Sequence, residues 1–584
     1  MSNNSQVDSN PILDFALNHQ FPEFTWEKGL ERVVAFGDES HKCPTYEVRV
    51  PPCSAGCPAE EDIRGYHNIL RGIEKFDDRW EAAFNRIAEK NPFPAVMGRV
   101  CPAPCESKCN RQYLDETVGI NAVEHAIGDY AIQNGLKLPN AGSATGKRVA
   151  VVGSGPAGLS CAYQLRLKGH DVVLYESSDK LGGMMRYGIM GYRVPREVLD
   201  KEIQRIVDTG IEIKTGVKIG SDVQLSDLQK EYDAVFMGIG AQKGRNLPIP
   251  GADGTEGCSN AIQFLQDFEK IGSSMSIGKK VLVIGDGDVA MDVARLALRL
   301  GSKDVSLVSG VSRDDMNCSL AEFQEAESEG TKMLYSVGSQ EVLSDGGKVA
   351  GLKTVQMEPK AKGEDGWNSP IPFLRYKAIA GTESTIDADM IISSIGQTLD
   401  LDGLENMKNG GPWVKVDKNY QVAGLPGVFS GGDALSLTLL TTAIGHGRKA
   451  ADSIDAYVNG KSMPAIERKD VIPYEDLGSY YFPPVPQKKR SHRNVAKVES
   501  DFDEILQVLD QDTAGKESER CMSCGLCFEC NQCMLYCPQE AITKFRKNPI
   551  GEVMYTYYEK CVGCHICAEV CPCGYIHMGM GEDL

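Results

Sequence analysis

Two short apolar runs, each ending in a glycine-rich loop, constrain this chain more than any other feature. Arg148-Val149-Ala150-Val151-Val152 leads into Gly153-Ser154-Gly155-Pro156-Ala157-Gly158. Lys280-Val281-Leu282-Val283-Ile284 leads into Gly285-Asp286-Gly287-Asp288-Val289-Ala290. A buried parallel strand, then GxGxxG or GxGxxA, then an apolar helix opens a dinucleotide-binding βαβ unit. The first glycine permits the tight turn, and the second lets the backbone approach a pyrophosphate at a helix N-terminus. The third allows close helix–strand packing. The chain is therefore expected to contain two such units.

The first unit reads as a flavin site. Its second strand, Val172-Val173-Leu174-Tyr175, ends at Glu176, where an acid accepts the adenosine ribose hydroxyls. Gly155-Pro156-Ala157 within the loop leans toward FAD. A later strand–turn, Gly427-Val428-Phe429-Ser430-Gly431-Gly432-Asp433, adds an aspartate suited to the ribityl and phosphate region. The helix starting at Thr441-Thr442 is expected to present its positive end to the flavin ring, with Thr442 at the site. The second unit is then the nicotinamide site, with Gly285, Gly287, Asp288 and Val289 at its loop. After its second strand comes Ser309-Gly310-Val311-Ser312-Arg313-Asp314-Asp315. A 2′-phosphate needs cations here. Arg313 is the one cation and two aspartates follow it, which favours NADH, the alternative being that Arg313 reaches the phosphate anyway.

The chain has 20 cysteines, and they are clustered. Cys527-x2-Cys530-x2-Cys533-x3-Cys537-Pro538 and Cys561-x2-Cys564-x2-Cys567-x3-Cys571-Pro572 repeat the run that holds two [4Fe-4S] clusters. In that run three thiolates on a tight loop face one cubane, and the fourth ligates the other. Cys527, Cys530 and Cys533 should therefore pair with Cys571, and Cys561, Cys564 and Cys567 with Cys537. Zinc knuckles also use C-x2-C, but they do not need four cysteines and a proline twice. Cys521, Cys524 and Cys573 are left over. Near the N-terminus, Cys53-x3-Cys57 and Cys101-x3-Cys105-x3-Cys109, with Cys43 as a sixth, suggest further cubane ligands, structural zinc being the alternative.

The formal charge of −19 argues against nucleic acid or anionic membrane as partner. Residues 1–6 lack the basic and apolar regions of a signal peptide, and no apolar run is long enough to span a bilayer, so a cytoplasmic chain is expected. The expected architecture is multidomain α/β. A helical iron–sulfur domain (1–145) precedes an FAD domain in two parts (146–255 and 396–460) that flank an NAD(H) domain (256–395). An extended, proline-rich linker (461–517), whose basic run Lys488-Lys489-Arg490 reads as solvated, leads to a ferredoxin-like 2[4Fe-4S] domain (518–584).

Cys101-Pro102-Ala103-Pro104-Cys105-Glu106 resembles the cluster domain of glutamate synthase small subunits. Gly182-Gly183-Met184-Met185-Arg186-Tyr187-Gly188-Ile189, Tyr192-Arg193-Val194-Pro195 and Gly287-Asp288-Val289-Ala290-Met291-Asp292 are similar to that family too. Dihydropyrimidine dehydrogenase and the NADH-dependent ferredoxin:NADP transhydrogenase share the module. The resemblance covers residues 40–460 and implies cofactor-binding roles for Gly183, Arg186 and Arg193. It also implies one N-terminal cluster on Cys57, Cys101, Cys105 and Glu124, and a second using Cys53 and Cys109. The family usually has a C-x2-C pair just before Cys53. Here there is only Cys43, so the second cluster is incomplete or has an atypical ligand. NADPH-using relatives carry Tyr-Arg-Arg where Ser309-Gly310-Val311 stands. The run from Cys521 to Cys530 resembles a subset with an appended ferredoxin domain, and within it the chain as a whole is similar to the DsrL-type flavoproteins associated with dissimilatory sulfite reductase.

Together these features predict an NAD(H):acceptor oxidoreductase, with FAD passing electrons between NAD(H) and [4Fe-4S] clusters. Hydride transfer to flavin needs stacking and orientation, so no side chain is expected to act as a catalytic acid or base. The expected partner is dissimilatory sulfite reductase or another iron–sulfur redox protein, and a homodimer is one assembly to test. A glutamate synthase small subunit and a non-catalytic docking subunit are the alternatives.

Overall fold

A computed structural model describes residues 42–408, 410–463, 470–493, 498–545 and 553–580. The described residues form two compact units, one within 50–471 and 483–522, the other within 42–49, 472–482 and 523–580.

The larger unit begins with helices α1 (Ile63–Leu70), α2 (Arg79–Ala88), α3 (Pro94–Val100) and α4 (Ile120–Gln133). Asp62 caps α1 by accepting from the Gly65 N–H at 3.0 Å, and Asp78 caps α2. Helices α3 and α4 pack unusually closely. A Cβ at Gly98 would lie 2.4 Å from the His125 Cα, and one at Gly128 2.3 Å from the Ala95 nitrogen. This contact fixes α4, which carries Glu124.

Next come β1 (Arg148–Val152), α5 (Pro156–Leu167), β2 (Asp171–Tyr175), α6 (Arg196–Val207), β3 (Glu212–Lys214) and β4 (Ala234–Met237). An inserted domain follows, with β5 (Cys258–Asn260), α7 (Ala261–Ile271), β6 (Lys280–Ile284), α8 (Asp288–Arg299), β7 (Asp304–Val308), α9 (Leu320–Ser328) and β8 (Lys332–Leu334). It continues through β9 (Val337–Asp345), β10 (Lys348–Pro359) and β11 (Met390–Ser393). The chain then returns to the first sheet with β12 (Val428–Ser430) and α10 (Leu440–Val458), and α11 (Gln511–Ser518) closes the unit. The first sheet has order β12-β4-β1-β2-β3 and the second β8-β7-β6-β11-β5. Every pairing in both is parallel. Strands β1, β2 and β6 are buried at every residue but the first, which explains their continuous apolar composition. Strands β9 and β10 form an antiparallel hairpin beside the second sheet.

The described residues within 461–517 do not run as the extended connector expected from the prolines. Residues 472–482 belong to the smaller unit, and 483–518 are bonded into the larger. The Val485 and Gln487 N–H groups donate to Asp115 and Glu116 at 2.9 and 2.8 Å. Arg490 is not solvated, since it donates to Asn121 Oδ1 at 2.7 Å and to the Gly98 carbonyl. Fully buried Glu517 accepts from the Gly119 and Lys488 N–H groups, each at 2.7 Å, and from Arg520 at 2.6 Å. The acceptors lie hundreds of residues away, so proline content alone reads as an extended chain.

In the smaller unit, the strand Cys43–Tyr46 pairs antiparallel with Ile576–Gly579, and Ile542–Lys544 with Met554–Thr556. Two short helices, Gln532–Leu535 and Ile566–Glu569, each follow a left-handed residue, Asn531 and His565, both with φ of 65°. The repeat in sequence is thus a repeat in backbone. Among the described residues no helix is long and apolar enough to cross a membrane.

Candidate functional site

A cleft of about 270 Å³ opens at the C-terminal edge of the first sheet. Gly153, Gly155, Pro156, Ala157, Glu176, Gly183, Gly432 and Asp433 all line it. Gly153 has φ of 92°, and a Cβ there would lie 2.3 Å from the Gly238 carbonyl oxygen. A Cβ on Gly158 would lie 1.9 Å from the Gly153 oxygen, so this residue serves packing. At Gly155 a Cβ would meet nothing within 4 Å. That space sits at the first turn of α5, where a pyrophosphate would be received. Glu176 accepts from the Ser154 N–H at 2.9 Å and hydroxyl at 2.6 Å, and from the Ser178 N–H at 2.7 Å, which holds the loop to the end of β2. Asp433 accepts from the Thr438 N–H at 3.1 Å, and burial raises its pKa. The donor set and the open glycine fit a dinucleotide.

Three expected residues lie elsewhere. Arg186 donates to the Leu181 carbonyl at 2.6 Å and pairs with Asp200. Arg193 pairs with Asp292 of α8 at 2.7 Å and with Glu322 of α9, so it ties the two dinucleotide domains together. From α10, Leu440 and Ala443 line the cleft, whereas Thr442 is not among its lining residues. Helical spacing turns a neighbouring residue away from the wall that its neighbours form.

The second loop repeats the first. A Cβ on Gly285 would lie 2.3 Å from the Ser394 oxygen, and one on Gly287 would meet nothing within 4 Å. Asp288 accepts from the Ser319 N–H at 2.7 Å, and Val289 packs against the core. Ser309 is buried, with its hydroxyl 3.2 Å from the Val311 carbonyl. The ring of Phe373 covers Gly310, with Cε2 only 2.6 Å from where a Cβ would stand. Arg313 stacks 4.8 Å over Phe323. A cation not singled out from sequence, Arg375, stands nearby and is held by Asp315 at 2.8 Å. Its distance along the chain hid it.

A second cavity gathers Cys57, Cys101, Cys105 and Glu124 with Glu61 and Thr441. Asn91 donates to Glu124 at 3.0 Å and to Glu61 at 2.9 Å. Burial, reinforced by Glu61 and Glu124, pushes the Cys57 thiol up to about 12. Burial likewise drives Cys101, Cys105 and Glu124 upward. Burial thus disfavours the anionic form of each group, a cost that iron held in the cavity would offset. The Tyr66 hydroxyl is fully buried, has Glu61, Glu124, Cys105 and Cys53 as its charged neighbours, and has no hydrogen-bond partner among the described residues. Glu61, Asn91 and Tyr66 were missed from sequence, since nothing in their spacing marks them. Thr441 and its neighbours Leu440 and Ala443 place the first turn of α10 between this cavity and the cleft. No three His, Cys, Asp or Glu side chains among the described residues could hold a single metal ion.

Cys43 is not with these cysteines. Its strand pairs with Ile576–Gly579 in the smaller unit, where Cys43 interacts with Cys561. There Cys537, Cys561, Cys564 and Cys567 line one cavity. Cys571 is the electrostatic neighbour of Cys527, Cys530 and Cys533. Cys573 lies 3.8 Å from Cys571 and, with the Tyr575 N–H at 3.3 Å, helps hold the Cys571 thiol down to about 6. Cys537 accepts from the Ala541 N–H at 3.3 Å in the matching position.

The family model for pyridine nucleotide-disulphide oxidoreductases matches residues 147–447. The one for the 4Fe-4S cluster domain II of dihydropyrimidine dehydrogenase matches residues 25–136. The chain is 32% identical to the beta subunit of an NADP(+)-dependent formate dehydrogenase from Moorella thermoacetica, over 81% of this chain and 70% of that one. It is 31% identical to the beta subunit of an NADPH-Fe(3+) oxidoreductase from Geobacter sulfurreducens, over 81% and 75%. It is 32% identical to the small chain of glutamate synthase [NADPH] from Bacillus subtilis, over 70% and 87%.

Proposed function

Because the chain belongs to the glutamate synthase small-subunit-like iron–sulfur flavoproteins, NAD(P)H oxidoreductases with FAD, a pyridine nucleotide and a 4Fe-4S cluster, we propose that it carries electrons between NADH and an iron–sulfur protein partner. FAD, when bound, exchanges a hydride with nicotinamide and single electrons with clusters. The protein's own residues bind and insulate. Gly155 leaves room for the pyrophosphate, and Glu176 and Asp433 hold the two ends of the cleft. Cys57, Cys101, Cys105 and Glu124 would hold a cluster beside the cleft. Cys527, Cys530 and Cys533 with Cys571, and Cys561, Cys564 and Cys567 with Cys537, would hold two more.

The observation that carries this reading is the first turn of α10, one face on the cleft and the other on the cysteine cavity. A single helical turn between two redox sites is a short path for an electron. Anaerobic stopped-flow reduction of the purified chain tests it. Flavin bleaching by NADH should be followed by loss of cluster absorbance, and flavin reduction without cluster reduction would sink the proposal.

NADH is favoured by the buried Ser309 and Val311, by Phe373 over Gly310, and by the pairing of Arg375 with Asp315. The relatives compared are named for NADP(H). A kcat/KM for NADPH equal to or above that for NADH would overturn the preference. The partner we propose is dissimilatory sulfite reductase, on the overall likeness of the chain to DsrL-type flavoproteins. Anaerobic co-purification without exchange of electrons would remove it. The likeness to a glutamate synthase small chain favours a second reading, which predicts glutamine-dependent glutamate formation with a large chain.

A further inference from the structure

Cys521 is one of the cysteines that the ferredoxin-type spacing leaves unused, yet it is built into the helical domain of the larger unit. Arg111 donates to the Arg520 carbonyl at 2.6 Å, so the peptide just before Cys521 is tied to a residue two positions after Cys109. Arg520 in turn donates to the Thr117 and Glu116 carbonyls, each at 2.7 Å. The Cys521 N–H closes the end of α11 on the Ser518 carbonyl at 3.0 Å. The Ser518 hydroxyl lies 3.1 Å from His67 Nδ1 on α1. Cys109 and Cys521 are 8% and 9% exposed, and both are free thiols.

Cys53 comes to the same region from another direction. It lies on the short helix Pro52–Gly56, which packs on the Glu106–Lys108 turn just before Cys109. A Cβ on Gly56 would stand 2.7 Å from Lys108 Cγ, so the two segments touch. The unpartnered Tyr66 hydroxyl, with Cys53 among its charged neighbours, is next in sequence to the His67 that holds Ser518. A buried hydroxyl with no acceptor is costly, and a cluster sulfide beside Cys53 would accept its hydrogen bond. Cys109 has the Val118 and Arg111 N–H groups on its sulfur and Cys521 as a neighbouring thiol.

We propose that Cys53, Cys109 and Cys521 are ligands of a second iron–sulfur cluster in the helical domain, completed from a segment some four hundred residues downstream (by the roughly cubane-type ligand pattern). The proposal rests on the reading of that domain as cluster-bearing. It supplies one ligand in place of the C-x2-C pair that this chain lacks before Cys53, and it explains why α11 and its strap are fastened to the helices. Cys109 and Cys521 are buried neighbours and Cys53 is half-buried on the adjoining helix, which suits an iron–sulfur core that needs thiolates and shelter from water.

The test uses the full-length protein, purified anaerobically, with iron and acid-labile sulfide measured per bound FAD and EPR spectra of the dithionite-reduced form. Cys521→Ser should lose about four irons, one cubane's worth. The double variant C53S/C521S should lose no more than C521S alone. Cys521→Asp, which keeps an anionic ligand, should retain the iron with altered g-values for one signal. Cys161→Ser removes a fully buried thiol outside these sets and should keep wild-type iron. Wild-type iron in C521S with an unchanged spectrum would overturn the proposal, as would a double variant that loses twice as much. Cys57→Ser separates the two readings. If C57S loses iron and C521S does not, only this proposal fails, and if neither does, the cluster-bearing reading of the domain fails as well.

Discussion

Gly153 and Gly155 stand two residues apart and answer to different constraints. Gly153 has φ of 92° and no room for a Cβ, whereas Gly155 has φ of −70° and open space. Gly153→Ala is therefore expected to destabilise the domain itself. Gly155→Ala should leave the thermal midpoint of the apoprotein nearly unchanged yet weaken FAD tenfold or more, about 1.4 kcal/mol. Titrating FAD into both apoproteins distinguishes them, and equal loss of stability would refute the distinction. His67 offers a pH test. Burial lowers its pKa to about 3, so it is neutral in the fold, while the unfolded chain takes up a proton below about 6.5. Its contribution to stability is thus complete above pH 6.5 and falls as pH drops toward 3. By pH 4.5 the wild type should have lost about 2–3 kcal/mol more than His67→Gln. Urea midpoints across that range are the measurement, and parallel profiles would remove His67 as the cause.

Among the elements, α11 has the least sequence warning and the most polar anchoring. Its Glu517 accepts three hydrogen bonds while wholly buried. Glu517→Gln leaves Arg520 with weaker partners and should cost about 3–5 kcal/mol, the range for breaking a buried ion pair. It should also open residues 483–518 to limited proteolysis, and unchanged cleavage would show that the strap is held by other contacts. Such contacts mark what could be read beforehand and what could not. Gly153, Gly155, Gly285 and Gly287 were legible because strand, loop and helix are contiguous, and the spacing of the C-terminal cysteines is likewise local. Arg490 was misread as solvated because its partner Asn121 is chosen by tertiary packing, and the same holds for the partners of Cys43 and Arg193, Ile576–Gly579 and Asp292, which no local spacing announces. Glu61 and Tyr66 carry no spacing signal at all, and only burial reveals them.

At the scale of the whole molecule, the chain passes between its two units at residues 49, 471, 482 and 522. The cysteine-rich unit is therefore not a bead on a string. Its strand Ile576–Gly579 takes its partner from Cys43–Tyr46. Arg49, 7% exposed, binds Asp476 at 2.7 Å and the Gly574 carbonyl at 3.1 Å. A fragment of residues 518–584 should express poorly or bind iron substoichiometrically, because it leaves a strand edge bare and removes Arg49 and Asp476. A version that adds residues 42–49 and 472–482 through short linkers should recover iron, as judged by iron per chain after anaerobic reconstitution. Full iron in the short fragment would show the added segments to be dispensable. The same threading sets an order of events during synthesis. Residues 43–46 leave the ribosome early and must wait, unpaired, until residue 579 has been made. On the proposed reading, iron would enter the cysteine-rich unit only after both segments have been translated.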